Sequence, residues 1–291
     1  MSPTPPPLVT ADELAALLDG APDDVRVVDA STRLALAGEG EPYTATPARD
    51  GYLAEHVPGA VFADIPGAFS DPDARFAFTL PSPSRFAAAA AELGIGDRTH
   101  VVAYDTGGSA WATRLWWLLR TFGHDGVSVL DGGLGAWKAA GHPVESGEVA
   151  VPAATFTPRL RSDLVATTDE VRRLGSGTGV LVNALDPATF RGESETSPYS
   201  RRGRIPGSRN LPRDTLLDPA TGRFLDLPAL AEKLQAAGIL DGQRAVAYCG
   251  GGIAATVPAF AAFLVSGAEV AVYDGSLSEW TADPALPVET G

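Results

Sequence analysis

Six short apolar runs, rich in β-branched residues, punctuate the chain at 25–28, 101–104, 127–130, 180–182, 245–248 and 270–273. They are continuous rather than alternating, the pattern of strands buried on both faces of a sheet. Between them the spacing becomes helical. Residues 85–93 are Ala-rich and stop at Gly94, and residues 227–237 repeat the design with Gly238 as the stop. A further helix is predicted after glycines 250–252. It runs to about Val265, with Pro258 in its first turn and Gly267 closing it. Strands alternating with helices predict an α/β fold, a parallel sheet with helices on both faces.

The pattern occurs twice. Val102-Ala103-Tyr104-Asp105 is matched 144 residues on by Val246-Ala247-Tyr248-Cys249, and VSVLDGGLGAW at 127–137 is matched 143 residues on by VAVYDGSLSEW at 270–280. His142-Pro143-Val144-Glu145 pairs with Leu286-Pro287-Val288-Glu289, and Val57-Pro58-Gly59-Ala60 with Ile205-Pro206-Gly207-Ser208. Val27-Val28-Asp29-Ala30 pairs with Leu181-Val182-Asn183-Ala184. Matches in one order with a slowly drifting offset indicate a tandem duplication with loop insertions and deletions. The expected organisation is two α/β domains, 8–146 and 163–291. A Gly-, Pro- and Ser-containing linker joins them at 147–162, and residues 1–7 form a loose Pro-rich tail.

A length of 291 residues suits two domains, and 45% hydrophobic with 20% charged residues is globular composition. The formal net charge of −14 has the wrong sign for a general nucleic-acid binder or for an anionic membrane surface. Cys249 is the single cysteine, so an intrachain disulfide and a multi-thiolate zinc site are excluded, and a reducing compartment is implied. The first residues carry no basic or apolar targeting pattern, and no run of about 18 apolar residues occurs. A cytoplasmic protein is expected.

The chemistry concentrates where the halves differ. Parallel α/β sheets place their sites at the carboxyl ends of strands. There the first half continues Asp105-Thr106-Gly107-Gly108-Ser109, and the second continues Cys249-Gly250-Gly251-Gly252-Ile253-Ala254-Ala255. The glycines let successive N–H groups turn into one concavity, and the following helix adds the positive end of its dipole. A thiol in that setting is favoured as the reactive thiolate. All four histidines lie in the first half, so the cysteine's own domain supplies no imidazole base. A lone cysteine in a strand is ordinarily inert packing, and it is the placement before a Gly-rich strand-to-helix turn that argues for reactivity. Gly250 to Ala255 also satisfies a G-x-G-x-x-A pattern, but that fingerprint normally opens the first strand–helix unit rather than a late one. A phosphatase loop of C-x5-R type needs an arginine where Ala255 stands.

On these residues the chain resembles the tandem-domain rhodanese family, the thiosulfate and 3-mercaptopyruvate sulfurtransferases. In the first half the likeness rests on Asp29-Ala30-Ser31, His56-Val57-Pro58-Gly59-Ala60, Trp116-Trp117 with Phe122-Gly123-His124, and Leu130-Asp131-Gly132-Gly133-Leu134 with Trp137. In the second half it rests on Phe190-Arg191-Gly192, Ile205-Pro206-Gly207, and Tyr273-Asp274-Gly275-Ser276 with Glu279-Trp280. The resemblance implies two rhodanese-like domains. The first is non-catalytic, with Asp105 at the cysteine position, and the second is catalytic, with Cys249 as nucleophile. It also marks departures. The loop of the mercaptopyruvate enzymes resembles C-G-S-G-V-T-A, so Gly251 stands for the serine and Ala254 for the threonine, and the histidine proposed to assist that serine falls near Phe78. Gly250 and Gly251 replace both cations of the thiosulfate enzymes' C-R-K-G-V-T loop. A substrate-binding arginine aligns with Thr189, while Arg191 is kept.

The implied activity is transfer of sulfane sulfur from a small anionic donor, thiosulfate or 3-mercaptopyruvate, to a thiol or thioredoxin-like acceptor through a Cys249 persulfide. No metal or organic cofactor is called for. The expected substrate-binding residues are Arg191, Arg201, Gly250, Gly251, Gly252, Ile253, Ala254 and Ala255. Arg191, Arg201, Arg202 and Arg204, part of a run that continues with Arg209 and Arg213, should line a positive mouth that focuses anions. Gly251 and Gly252 should leave the loop roomy. The alternative is a sulfane-sulfur carrier or redox sensor that does not turn over. His56 is expected to stabilise a turn, and Trp116-Trp117 to lie in the core or a domain interface.

Overall fold

The computed structural model describes residues 5–20, 24–35 and 44–291. The first half comprises β1 (Leu8–Val9), α1 (Ala11–Gly20), β2 (Val25–Asp29), β3 (Thr32–Ala35), β4 (Thr44–Pro47), α2 (Arg49–Ala54), β5 (Val61–Phe62), α3 (Pro83–Glu92), β6 (His100–Tyr104), α4 (Ala110–Thr121), β7 (Val127–Leu130) and α5 (Gly133–Ala139). The second comprises α6 (Thr168–Arg173), β8 (Val180–Asn183), α7 (Pro187–Arg191), β9 (Arg209–Asn210), α8 (Leu227–Ala236), β10 (Ala245–Tyr248), α9 (Thr256–Ser266), β11 (Ala271–Val272) and α10 (Ser276–Ala282).

The apolar runs form two parallel sheets, ordered β1-β7-β6-β2-β5 and β11-β10-β8-β9. Registers such as Val27↔Val102 and Val182↔Ala247 put the runs at the sheet centres. Each sheet has an outer apolar layer of its own, one built around Leu14, Tyr104 and Trp137 and the other around Val171, Tyr248 and Trp280. The inner layers merge into a single core shared by both halves. Helix ends follow local chemistry. Ser82 and Asp226 cap α3 and α8 by accepting from the Arg85 and Ala229 amides, and Gly94 and Gly238 just beyond them take positive φ.

The halves meet through α4 and α9, the helices that follow the two corresponding loops. All twelve residues of α4 are buried. Thr113 and Thr256 share a 2.8 Å hydroxyl hydrogen bond, and Trp116 packs edge-on against Phe260. The Trp pair therefore lies in core and interface, as expected. His56 is buried, stacked on Tyr52 and bonded to the Tyr52 carbonyl at 2.7 Å, a packing role beside its turn.

The stretch between the sheets is irregular but not loose. Ala154, Arg159 and Arg161 donate backbone N–H groups to the Ala91, Phe122 and Thr121 carbonyls, and Phe156 is buried edge-on to Phe86. The Pro-rich start is likewise less loose than its composition suggests. Residues 1–4 lie outside the described residues, while the Pro6 and Pro7 carbonyls accept from Ser128 Oγ and the Val129 amide. Among the described residues no helix is long and apolar enough to cross a membrane.

Candidate active site

Cys249 follows the last residue of β10 and is 2% exposed. It forms part of the floor of a cavity of about 620 Å³ between the two halves. Gly250, Gly251, Ile253 and Ala254 share that floor. The first half supplies the facing wall from Thr32, Leu34, Phe78, Gly107 and Trp111.

The first half also shows what such a loop can hold. The Asp105 carboxylate, at the position matching Cys249, accepts four backbone N–H groups. Gly107 and Ser109 donate to Oδ1 at 2.9 and 3.1 Å, and Trp111 and Ala112 to Oδ2 at 2.9 and 3.0 Å. Its loop is thus an anion nest filled by its own side chain. At the same register in the second half stand Gly251, Ile253, Ala255 and Thr256. The Thr256 amide donates to the Ile253 carbonyl, but among the described residues the Gly251, Ile253 and Ala255 amides have no acceptor within the protein. The second loop has the amides of the first without the occupant.

The remaining loop contacts hold this shape. Ser276 Oγ accepts from the Cys249 amide at 3.0 Å and the Gly252 amide at 3.1 Å, and donates to the Tyr273 carbonyl. Ser278 Oγ donates to the Gly250 carbonyl at 2.7 Å. Arg114, fully buried on α4, donates to the Gly252 carbonyl, to Asp274 Oδ1 at 2.6 Å and to the Phe78 carbonyl at 2.5 Å. One guanidinium from the first half thereby ties the second half's loop to the segment that carries Phe78. Sequence reasoning missed Arg114, and it used Asp274 and Ser276 as motif residues without giving them a place at the loop. The available signals were an arginine inside an otherwise apolar helical run, since arginine is seldom buried unpaired, and the serine that replaces Gly133 in the repeated motif.

Several expectations require correction. Gly252 does not aim its amide at the sulfur, because Ser276 takes it. Nor is the loop roomy. A Cβ on Gly252 would come within 2.8 Å of the Asp274 carbonyl and carboxylate oxygens, and its φ is +78°. A Cβ on Gly251 would meet the Phe78 ring at 3.2 Å, so the phenyl group closes the space that the missing serine leaves. Ala255 is fully buried at the start of α9 and presents only backbone.

The arginine mouth is not there either. Arg201 turns away to donate to the Trp280, Thr281, Asp283 and Leu286 carbonyls around the C-terminal end of α10. Arg191 points outward and pairs with Glu193. Arg202 binds the Ser194 and Glu195 carbonyls, and Arg204 pairs with Glu289 over the Phe190 ring. Of the six arginines in that run only Arg213 reaches the cavity wall, where Asp214 pairs with it. Thr189, also on the wall, donates its amide and hydroxyl to the Asp186 carboxylate. Partial burial pushes the Asp186 pKa up, but those hydrogen bonds outweigh it and hold the group below the usual aspartate value.

Gly252→Ala should therefore unfold at markedly lower urea. A left-handed alanine costs about 1–2 kcal/mol and overpacking adds about 1–3 kcal/mol. A wild-type midpoint in a urea titration would refute the tight packing.

A family model described as a rhodanese-like domain matches residues 10–140 and 168–283. The chain is 35% identical over 97% of both chains to a 3-mercaptopyruvate sulfurtransferase of Escherichia coli strain K12. It is 37% identical, over 98% of this chain and 97% of the other, to the putative thiosulfate sulfurtransferase SseB of Mycobacterium tuberculosis strain H37Rv. The crystal structure of SseA from Escherichia coli, a 3-mercaptopyruvate sulfurtransferase, superposes with a TM-score of 0.79 at 31% identity, covering 94% of this chain and 99% of that one.

Proposed function

The chain belongs to the rhodanese-like family, with two copies of the domain, and from that premise we propose that it is a sulfurtransferase whose Cys249 carries the transferred sulfur as a persulfide. The observation that carries the reading is the pairing of the two loops. Asp105 fills one nest of amides with a carboxylate, and at the matching register Cys249 lies on a cavity floor in a loop whose Gly251, Ile253 and Ala255 amides are bonded to no acceptor among the described residues.

In the first half-reaction the Cys249 thiolate attacks the sulfane sulfur of a donor, and the donor's bond to that sulfur breaks as the new S–S bond forms. The Cys249 persulfide is left with its outer sulfur toward those amides, which stabilise negative charge without a side-chain cation. In the second half-reaction a thiol or a thioredoxin-like protein attacks the outer sulfur and releases the Cys249 thiolate, a ping-pong cycle. The half from 163 to 291 acts as the catalytic domain. The half from 8 to 146 acts as a non-catalytic one that supplies the facing wall and Arg114. A single free thiol suits a reducing, cytoplasmic setting, whose thiols can serve as acceptors.

The test is mass spectrometry of the intact protein after treatment with thiosulfate, 3-mercaptopyruvate or a low-molecular-weight persulfide. A gain of about 32 Da, one sulfur on a reactive thiolate, is expected on the Cys249 peptide, discharged repeatedly by cyanide. A Cys249 left unmodified by every donor overturns the proposal. A stable adduct without discharge overturns its catalytic part and leaves a carrier.

A further inference from the structure

The cavity over Cys249 is large for a small inorganic donor. Its volume of about 620 Å³ lies in the range, about 300–1,000 Å³, of sites that enclose whole organic ligands, whereas thiosulfate is a tetrahedral anion hardly larger than sulfate. Phe78, Trp111 and Leu185 give it an apolar wall that such an anion cannot use. Its charged side chains have the wrong sign for an anion as well. Asp186, Glu195 and Asp214 line it against one guanidinium, Arg213, which Asp214 already pairs. The chain's net charge of −14 adds to the repulsion.

Resting on the sulfur-transfer reading above, we propose that the donor is the persulfide of an amine-bearing organic thiol, whose carbon skeleton lies on the Phe78, Trp111 and Leu185 wall and whose ammonium faces Asp186, Glu195 and Asp214. The chemistry balances without an external oxidant. The Cys249 thiolate attacks the outer sulfur of R–S–S–H, the donor's S–S bond breaks, and the electron pair leaves on R–S⁻. The products are Cys249–S–S–H and R–S⁻, which takes its proton from solvent.

The test compares kcat/KM for cysteamine persulfide, thiosulfate and 3-mercaptopyruvate with one thiol acceptor, at low and high ionic strength. The wild type is measured beside a Glu195→Gln/Asp214→Asn variant. Cysteamine persulfide should be preferred over both anions by about tenfold or more at low salt, the lower end of electrostatic steering effects. High salt should narrow the gap. The variant, two isosteric changes at the rim, should raise kcat/KM for thiosulfate, lower it for cysteamine persulfide, and leave the melting temperature in place. A wild-type preference for either anion, or donor ratios unmoved in the variant, overturns this inference while sulfur transfer stands. Failure of all three donors to leave sulfur on Cys249 overturns the reading beneath it.

Discussion

Cys249→Asp is expected to yield a folded protein without turnover that melts above Cys249→Ala. Both variants lose the proposed nucleophile, and a fall of about 10³-fold or more in sulfur transfer is the expected result, as when a covalent nucleophile is removed elsewhere. They differ in what they leave under the amides. The introduced carboxylate can take the place that Asp105 takes in the first half, accepting from Gly251, Ile253 and Ala255. Each such bond to a charged acceptor contributes about 1.5–3 kcal/mol, and desolvation removes a large part of that. A net advantage of about 1 kcal/mol raises the melting temperature by about 2–4 °C in a chain of this size. Calorimetry of the two variants at neutral pH reads this directly. An aspartate variant that melts at or below the alanine one would mean that the amides do not converge on the sulfur position.

The features legible in the sequence were those written locally. Apolar runs and their glycine stops placed the strands and helices. The duplication was plain because the same words recur in the same order, and Cys249 stood out against Asp105 once the halves were aligned. What failed was direction. A run of arginines announces charge but not where each guanidinium turns. Arg201 is drawn into unsatisfied carbonyls at the end of α10, some eighty residues away in sequence, a common role for a cation near a helix C-terminus. Partners such as Glu289 for Arg204 were invisible for the same reason. The sequence leads one to expect a roomy loop at Gly251 because Phe78 comes from the other half of the chain, and only the fold brings its ring against the loop.

The same cross-domain geometry makes Arg114 the residue whose loss should cost most in stability. Its guanidinium is fully buried, stacked 4.6 Å from the Trp117 ring centre, and shared among Asp274, the Gly252 carbonyl and the Phe78 carbonyl. Asp274 spends its other oxygen on the Leu80 amide at 2.6 Å. Arg114→Met keeps much of the packing volume but leaves a nearly buried carboxylate and two carbonyls without their donor. Breaking a buried pair this way costs about 3–5 kcal/mol. Adding Asp274→Asn removes the stranded charge while keeping an acceptor for Leu80, so the double variant should be less destabilised than the two single costs together. Residues in one network couple by about 0.5–3 kcal/mol. Denaturant titration of the four proteins closes the cycle, and additivity within error would mean that the two side chains act independently. Persulfide formation on Cys249 should slow in Arg114→Met even where the protein remains folded, because the Gly252 carbonyl is no longer held and the loop's amides lose their common direction. A slowed rate in a folded Arg114→Met protein is the expected sign that the first half, through Arg114, fixes the second half's loop from across the interface.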